Sequence, residues 1–334
     1  MGRGGTHKIE KMLRRVLLLS IFTFAVLIYL IFRNVSLSEL IQILNPVWFL
    51  LLFLNMGIVI LLNGIKFKEL VRSLKSDISY IDSLKIVLSS VFASNITPYY
   101  SGGIVTQVYL LKKIKSDFNA STLVSISYTI LSVIVSFIFA AMFIALPHPF
   151  LKGVRGTFLI SILALAFTLS GLALFLITNP QKTKKLISFL VEKLKIKVDE
   201  TQIILEVDAF SEGLRFMLKS PLTLIKLVFI SFLSQLLYEM IGLTSLKAIG
   251  VNFNFYEAFI TQIASNFIAT IGITPGGMGI VEGSYLLLFI PIAHHLAPLQ
   301  TFLFRMFSYY IPSLIGAIIF YRTLGTFYSE FLYN

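Results

Sequence analysis

The chain has 334 residues, 57% of them hydrophobic and 13% charged, with a mean hydropathy of +0.88; soluble chains hold about 45–50% apolar and about 25% charged residues. Its 28 Lys and Arg against 16 Asp and Glu leave a net charge of +12, which in so apolar a chain bears on membrane topology rather than on nucleic acid. Zero Cys excludes disulfides, thiolate metal sites and cysteine nucleophiles, and with four His, only His294 and His295 adjacent, a histidine-built metal centre is not expected.

A bilayer core about 30 Å thick needs roughly 20 apolar helical residues. After a basic N-terminus, residues 1–15, the first apolar window is 16–32; the polar, bulky residues 33–38 that follow offer no small-residue cleavage pattern, so it is expected to stay as an anchor. The second window is 47–65. Next comes a broken region, 86–111, interrupted by Thr97-Pro98-Tyr99-Tyr100-Ser101-Gly102-Gly103. Windows 120–146 and 158–177 follow, then a basic amphipathic stretch, 178–221, expected either to lie on the anionic inner leaflet or to be a solvated connector. Window 222–246 precedes a second broken region, 258–290, interrupted by Thr274-Pro275-Gly276-Gly277-Met278-Gly279, and the last window is 299–320. Arms of about ten residues reach only about 15 Å as helix, so both broken regions read as re-entrant hairpins with tips near the midplane. The expected fold is an all-α polytopic membrane protein: six full transmembrane helices plus two broken re-entrant hairpins, in a single domain over 16–334.

With a cytoplasmic N-terminus, 23 of the 28 Lys and Arg fall on the cytoplasmic side, Lys66 among them, four fall outside and Arg305 lies within a span. That asymmetry puts both termini in the cytoplasm and suggests a multi-pass protein of the cell membrane. The chain also repeats itself. Ala93-Ser94-Asn95 recurs as Ala264-Ser265-Asn266, and Gly103-Ile104-Val105 with Tyr109-Leu110-Leu111 recurs as Gly279-Ile280-Val281 with Tyr285-Leu286-Leu287, an offset of 176 through that run. Each half, 47–146 and 222–320, reads as span, broken hairpin, span. The charge count makes the two halves inverted, a pattern of transporters with a midplane binding site.

The glycines at 102, 103, 276, 277 and 279, beside Pro98 and Pro275, each precede a new helix. They either cradle a phosphate at a helix N-terminus or only permit the bend. Neither cluster carries the Lys-Ser/Thr pair of a P-loop. Few ionisable groups lie within the spans: Glu239, Glu282 and Arg305, with Lys226 and Glu257 nearer segment ends. Glu282 and Arg305 are expected to pair, either as a structural lock or as a pair that opens, Arg305 to a lipid phosphate and Glu282 to a cationic head group. Glu239 reads as a hydrogen-bonded structural acid or a substrate contact, while Asn95, Thr97, Gln107, Asn266 and Thr274 suit either head-group binding or helix packing. Tyr99, Tyr100, Tyr309 and Tyr310 are expected as interfacial belt or packing residues or as cavity lining, and the two adjacent histidines as a solvated turn.

The block 273–283, Ile-Thr-Pro-Gly-Gly-Met-Gly-Ile-Val-Glu-Gly, taken with Ala264-Ser265-Asn266, Ser94-Asn95-Ile96-Thr97-Pro98 and Gly102-Gly103, resembles the transmembrane domain of lysylphosphatidylglycerol synthases, a domain that also occurs alone as flippase-like proteins. The resemblance implies a lipid translocase whose functional core is Pro275, Gly276, Gly277, Gly279 and Glu282. Only fourteen residues follow the last window, so the soluble lysine-transferring domain is not expected, and any synthase name would be inherited from the membrane part. The expected partners are a phospholipid or polyprenyl-phosphate carrier, the anionic inner leaflet, a separate soluble synthase or glycosyltransferase and a second copy of the chain, with no nucleic acid, cofactor or metal and no catalytic residue. Two other readings stand beside it: an intramembrane transferase on aminoacyl- or glycosyl-lipids, and a membrane scaffold for a separate synthase.

Overall fold

The computed structural model describes residues 20–33, 35–97, 100–115, 118–145, 220–270 and 274–333, with a few isolated residues elsewhere. Among them there is no strand. The helices are α1 (Ser20–Arg33), α2 (Leu37–Ile43), α3 (Pro46–Ser73), α4 (Tyr80–Asn95), α5 (Gly102–Lys115), α6 (Phe118–Ala145), α7 (Pro221–Ala248), α8 (Phe255–Thr270), α9 (Ile280–Ala293), α10 (Ala297–Arg305) and α11 (Ile311–Tyr333). A 3-10 turn, Pro275–Gly277, links α8 to α9, and a π-turn, Met306–Tyr310, links α10 to α11.

Local chemistry sets the ends. Asn45 caps α3, its Oδ1 accepting from the Val47 and Trp48 N–H groups at 3.1 and 3.4 Å, with Pro46 at the first helical position, where a missing N–H does no harm. Ser79 caps α4 through the Asp82 N–H at 3.0 Å, and α7 stops at Gly250, whose φ of 70° only glycine adopts cheaply.

The helix α3 packs most extensively on α7, and the two run antiparallel. Asn45 N–H donates to the Ala248 carbonyl at 2.8 Å at one end, Asn63 Nδ2 to Ser234 Oγ at 3.0 Å midway, and Lys226 pairs with Glu69 at 2.8 Å at the other. Each is followed by a pair of packed shorter helices, α4 with α5 and α8 with α9. Lengths match: 28, 16 and 14 residues for α3, α4 and α5, and again 28, 16 and 14 for α7, α8 and α9. Because α3 and α7 are antiparallel, the two hairpins open toward opposite ends of the pair. The exchange continues at the flanks: α4 lies against α11, and α8 against α6. One apolar core holds Leu52, Leu246, Tyr285, Phe289, Phe304 and Phe307; a second holds Phe67, Leu70, Ile86, Leu110, Ile130 and Leu131. Outward, Leu50, Leu54, Leu222, Phe229, Leu287 and Leu314 are exposed, as a lipid-facing surface requires.

Among the described residues, three stretches are long and apolar enough to cross a membrane, Pro46–Ser73, Pro221–Ala248 and Pro275–Thr323. A fourth is counted if α1 and α2 form one span, although they meet at 90°. The bend falls beyond the expected anchor window 16–32; the Ser36 cap, which accepts from the Glu39 N–H at 3.3 Å, starts a new helix there. The hairpin arms are also longer than expected. At 16 and 14 residues they reach about 24 and about 21 Å, because helix continues through the polar ends that an apolar window leaves out. The expected span 158–177, the N-terminal 1–15, Pro98, Tyr99 and nearly all of 178–221 lie outside the described residues; within the last, Lys184 pairs with Asp208 at 2.7 Å.

Candidate functional site

The turn that begins with Pro275 meets α4, so the tip of one hairpin rests on the other. Three glycines shape it. Gly276, Gly277 and Gly279 have φ of 60°, 66° and 84°, in the left-handed region that side-chain-bearing residues avoid. Gly276 has a second reason: a Cβ there would lie 2.3 Å from Tyr309 Cε2.

Arg305, the last residue of α10, is 3% exposed, and its Nε donates to Glu282 Oε1 at 2.8 Å while Nη2 donates to the Gly276 carbonyl at 3.2 Å. Its guanidinium lies 4.0 Å from the centre of the Tyr309 ring. The carboxylate of Glu282 is shared: Oε2 accepts from the Gly279 N–H at 2.7 Å, so the acid caps its own helix and neutralises the arginine at once. Tyr309 in turn donates to the Asn95 carbonyl at 3.4 Å, and Asn95 Nδ2 to Ser313 Oγ at 2.6 Å. One buried ion pair thereby ties α9, α10, the glycine turn and the end of α4 together.

A second polar group lies between α7, α8 and α9. Glu239, 1% exposed, accepts from Gln235 Nε2 at 2.7 Å and from Asn266 Nδ2. The Tyr285 hydroxyl donates to Asn266 Oδ1 and accepts from Gln262 Nε2, both at 2.6 Å, and its ring stacks on Phe304 with centroids 4.2 Å apart.

Thr97, Gln107 and Thr274 bond within their own broken regions. Gly102 N–H donates to Thr97 Oγ1 at 2.8 Å, and a Cβ on Gly102 or Gly103 would lie 2.5 Å from the Ala93 carbonyl or 2.1 Å from Ser94 Oγ. Gln107 donates to Ser90 at 3.2 Å, and Thr274 to the Met278 carbonyl at 2.8 Å. Tyr309 is buried against Arg305 rather than placed in an interfacial belt, because the π-turn carries its ring under the guanidinium. Lys226 lies at the edge, paired with Glu69, and both adjacent histidines are exposed. No group of three His, Asp or Glu suited to a metal occurs among the described residues.

Lys66 does not belong with the loop cations. It lies inside α3, 3% exposed, since the helix runs on to Ser73 and turns this side chain toward α6. Its ammonium donates to Ser132 Oγ at 3.1 Å and sits 3.8 Å from the centre of the Tyr128 ring. The helical phase of Phe67, Leu70 and Val71, all buried, was the signal that the helix outlasts its apolar window.

Residues 17–316 match the family described as the lysylphosphatidylglycerol synthase TM region. The chain belongs to this family. It is similar to a UPF0104 membrane protein of Pyrococcus horikoshii, 25% identical over 329 residues that cover 92% of this chain and 96% of that one. A UPF0104 membrane protein of Methanocaldococcus jannaschii is 22% identical over 330 residues, covering 93% and 94% of the two chains. The family and the helices together make this a multi-pass membrane protein.

Proposed function

We propose that the protein moves a phospholipid, or a polyprenyl-phosphate-linked lipid, between leaflets of the cell membrane, with its phosphate passing the Arg305–Glu282 site. The observation that carries the reading is the setting of the Glu282 carboxylate. It is an anion held by one backbone N–H and one guanidinium where two hairpins meet, a donor set that suits a phosphate oxygen equally well. In the resting protein the carboxylate fills that position. A lipid phosphate takes it over as Glu282 swings out, and the freed carboxylate faces the head group. The tails stay in lipid.

The repeated lengths of α3–α5 and α7–α9, the antiparallel α3 and α7, and the crosswise packing of α4 on α11 and α8 on α6 support an inverted repeat with two re-entrant hairpins. On that reading both termini are cytoplasmic, and one half rocks against the other about the α3–α7 pair.

Fluorescent-lipid translocation in proteoliposomes tests this across several phospholipid head groups. The native protein should accelerate movement, Arg305→Ala should abolish it, and Glu282→Gln should flatten the preference between zwitterionic and anionic head groups. Folded Arg305→Ala protein moving lipid at the native rate overturns the reading.

A further inference from the structure

A partly open polar cavity of about 80 Å³ lies between α3, α6 and α7, and neither Arg305 nor Glu282 is in its lining. Asn63, Lys66, Ser132, Ser231, Ser234 and Tyr238 line it. It has room for about two or three waters, or for one tetrahedral oxyanion.

The groups around it are unevenly matched. The Lys66 ammonium has three protons, of which Ser132 takes one, and among the described residues no carboxylate pairs with it. Ser231 Oγ is buried with no hydrogen-bond partner among the described residues. Ser234 Oγ accepts from Asn63 Nδ2, which leaves its own proton to donate. Gln235, also in the lining, spends an amide proton on Glu239, whose carboxylate accepts from Asn266 as well and does not line the cavity. A cation and two hydroxyl donors thus converge on a void that supplies no anion. An unpaired buried charge is among the most expensive features a membrane interior can hold, and a donor-rich pocket around an ammonium is what an oxyanion needs.

We infer that this cavity is a phosphate-type oxyanion site, with Lys66 as its cation and Ser231 and Ser234 as its directing donors. The oxyanion is supplied either by a lipid head group or by free phosphate; the chemistry is shared. The inference concerns binding and does not rest on translocation.

The test is isothermal titration calorimetry of the full chain in a zwitterionic detergent with two probes, inorganic phosphate and dihexanoyl phosphatidic acid below its micelle concentration. Saturable binding of at least one probe is expected, weakened about tenfold or more in Lys66→Met and about three- to tenfold in the near-isosteric Ser231→Ala. Lys226→Gln, which removes an exposed cation from the same helix pair, should bind as the native protein does. Binding of phosphate alone names the free ion as the source, and binding of the lipid alone or of both names the head group. The site is overturned by the absence of saturable heat with either probe, or by binding that Lys66→Met and Ser231→Ala leave unchanged. Should Lys66→Met fail to fold, Ser231→Ala decides by itself.

Discussion

Replacing Arg305 by Met removes three attachments of one side chain: the 2.8 Å bond to Glu282, the 3.2 Å bond to the Gly276 carbonyl and the stack on Tyr309. It leaves Glu282 as a buried carboxylate with one remaining donor, the Gly279 N–H. Breaking a buried pair from one side costs about 3–5 kcal/mol. Glu282→Gln leaves the guanidinium unpaired instead and keeps an amide oxygen to accept one bond, so its loss should be about 2–4 kcal/mol. The double variant has no buried charge, and replacing a whole buried pair is often close to neutral. Its loss should therefore be roughly 1–3 kcal/mol, well short of the sum of the single changes, with a coupling energy of about 2 kcal/mol or more. Unfolding by SDS titration, followed by far-UV circular dichroism, measures all four proteins. Losses that add to within about 0.5 kcal/mol would refute the reasoning, because independent sites add and contacting ones do not.

Gly276→Ala must accept both a left-handed φ and a Cβ 2.3 Å from Tyr309, so it should lose about 2–4 kcal/mol, whereas Gly279→Ala, with open space around it, should lose only about 1–2 kcal/mol; the same titration orders them. In Gly316→Ala a Cβ would lie 2.2 Å from the Leu88 carbonyl, backbone that cannot turn aside, and the α4–α11 contact should loosen by about 1–3 kcal/mol in that titration. In this cysteine-free chain, single cysteines at Ser79 and Lys115 should react with an impermeant maleimide from one face of the membrane and those at Asn254 and His295 from the other; labelling of Ser79 and Lys115 from opposite faces would replace the hairpin with full crossings.

Where the sequence is plainly apolar, the fold was legible. The windows 47–65 and 222–246 fall within α3 and α7, and the two broken regions became packed helix pairs with glycine at their turns. The Glu282–Arg305 pair was legible for a related reason: so few charges lie within the spans that a carboxylate and a guanidinium had little choice of partner. Other parts depend on what packs against them. Nothing in the order of residues announces that α10 breaks into a π-turn at Met306, with Tyr309 under Arg305 and against Gly276 of the turn opposite. The network from Gln235 through Glu239, Asn266 and Tyr285 to Gln262 draws on three helices, and only their packing brings the five together. Lys66 was misplaced because a hydropathy window ends at its first charge, while the helix is held by the buried residues beyond it.

The latch also bears on which lipids the proposed route would pass. Opening the Glu282–Arg305 pair with nothing to replace it costs about 3–5 kcal/mol, and at about 1.4 kcal/mol per decade that holds the open form near one molecule in 10² to 10⁴. A phosphate that enters as the carboxylate leaves keeps an anion on the same two donors, so most of that cost is offset. A lipid with a sugar head group and no phosphate offers no such replacement. In proteoliposomes of the native protein, a fluorescent glycolipid should therefore cross about 10²- to 10⁴-fold more slowly than a phospholipid with the same tails. Glu282→Gln should narrow that gap, since its resting state no longer sets one full charge against another. Equal rates for the two lipids in the native protein would mean that opening does not depend on an incoming anion, and Arg305 would then be a brace between α9 and α10 and not a station on the path.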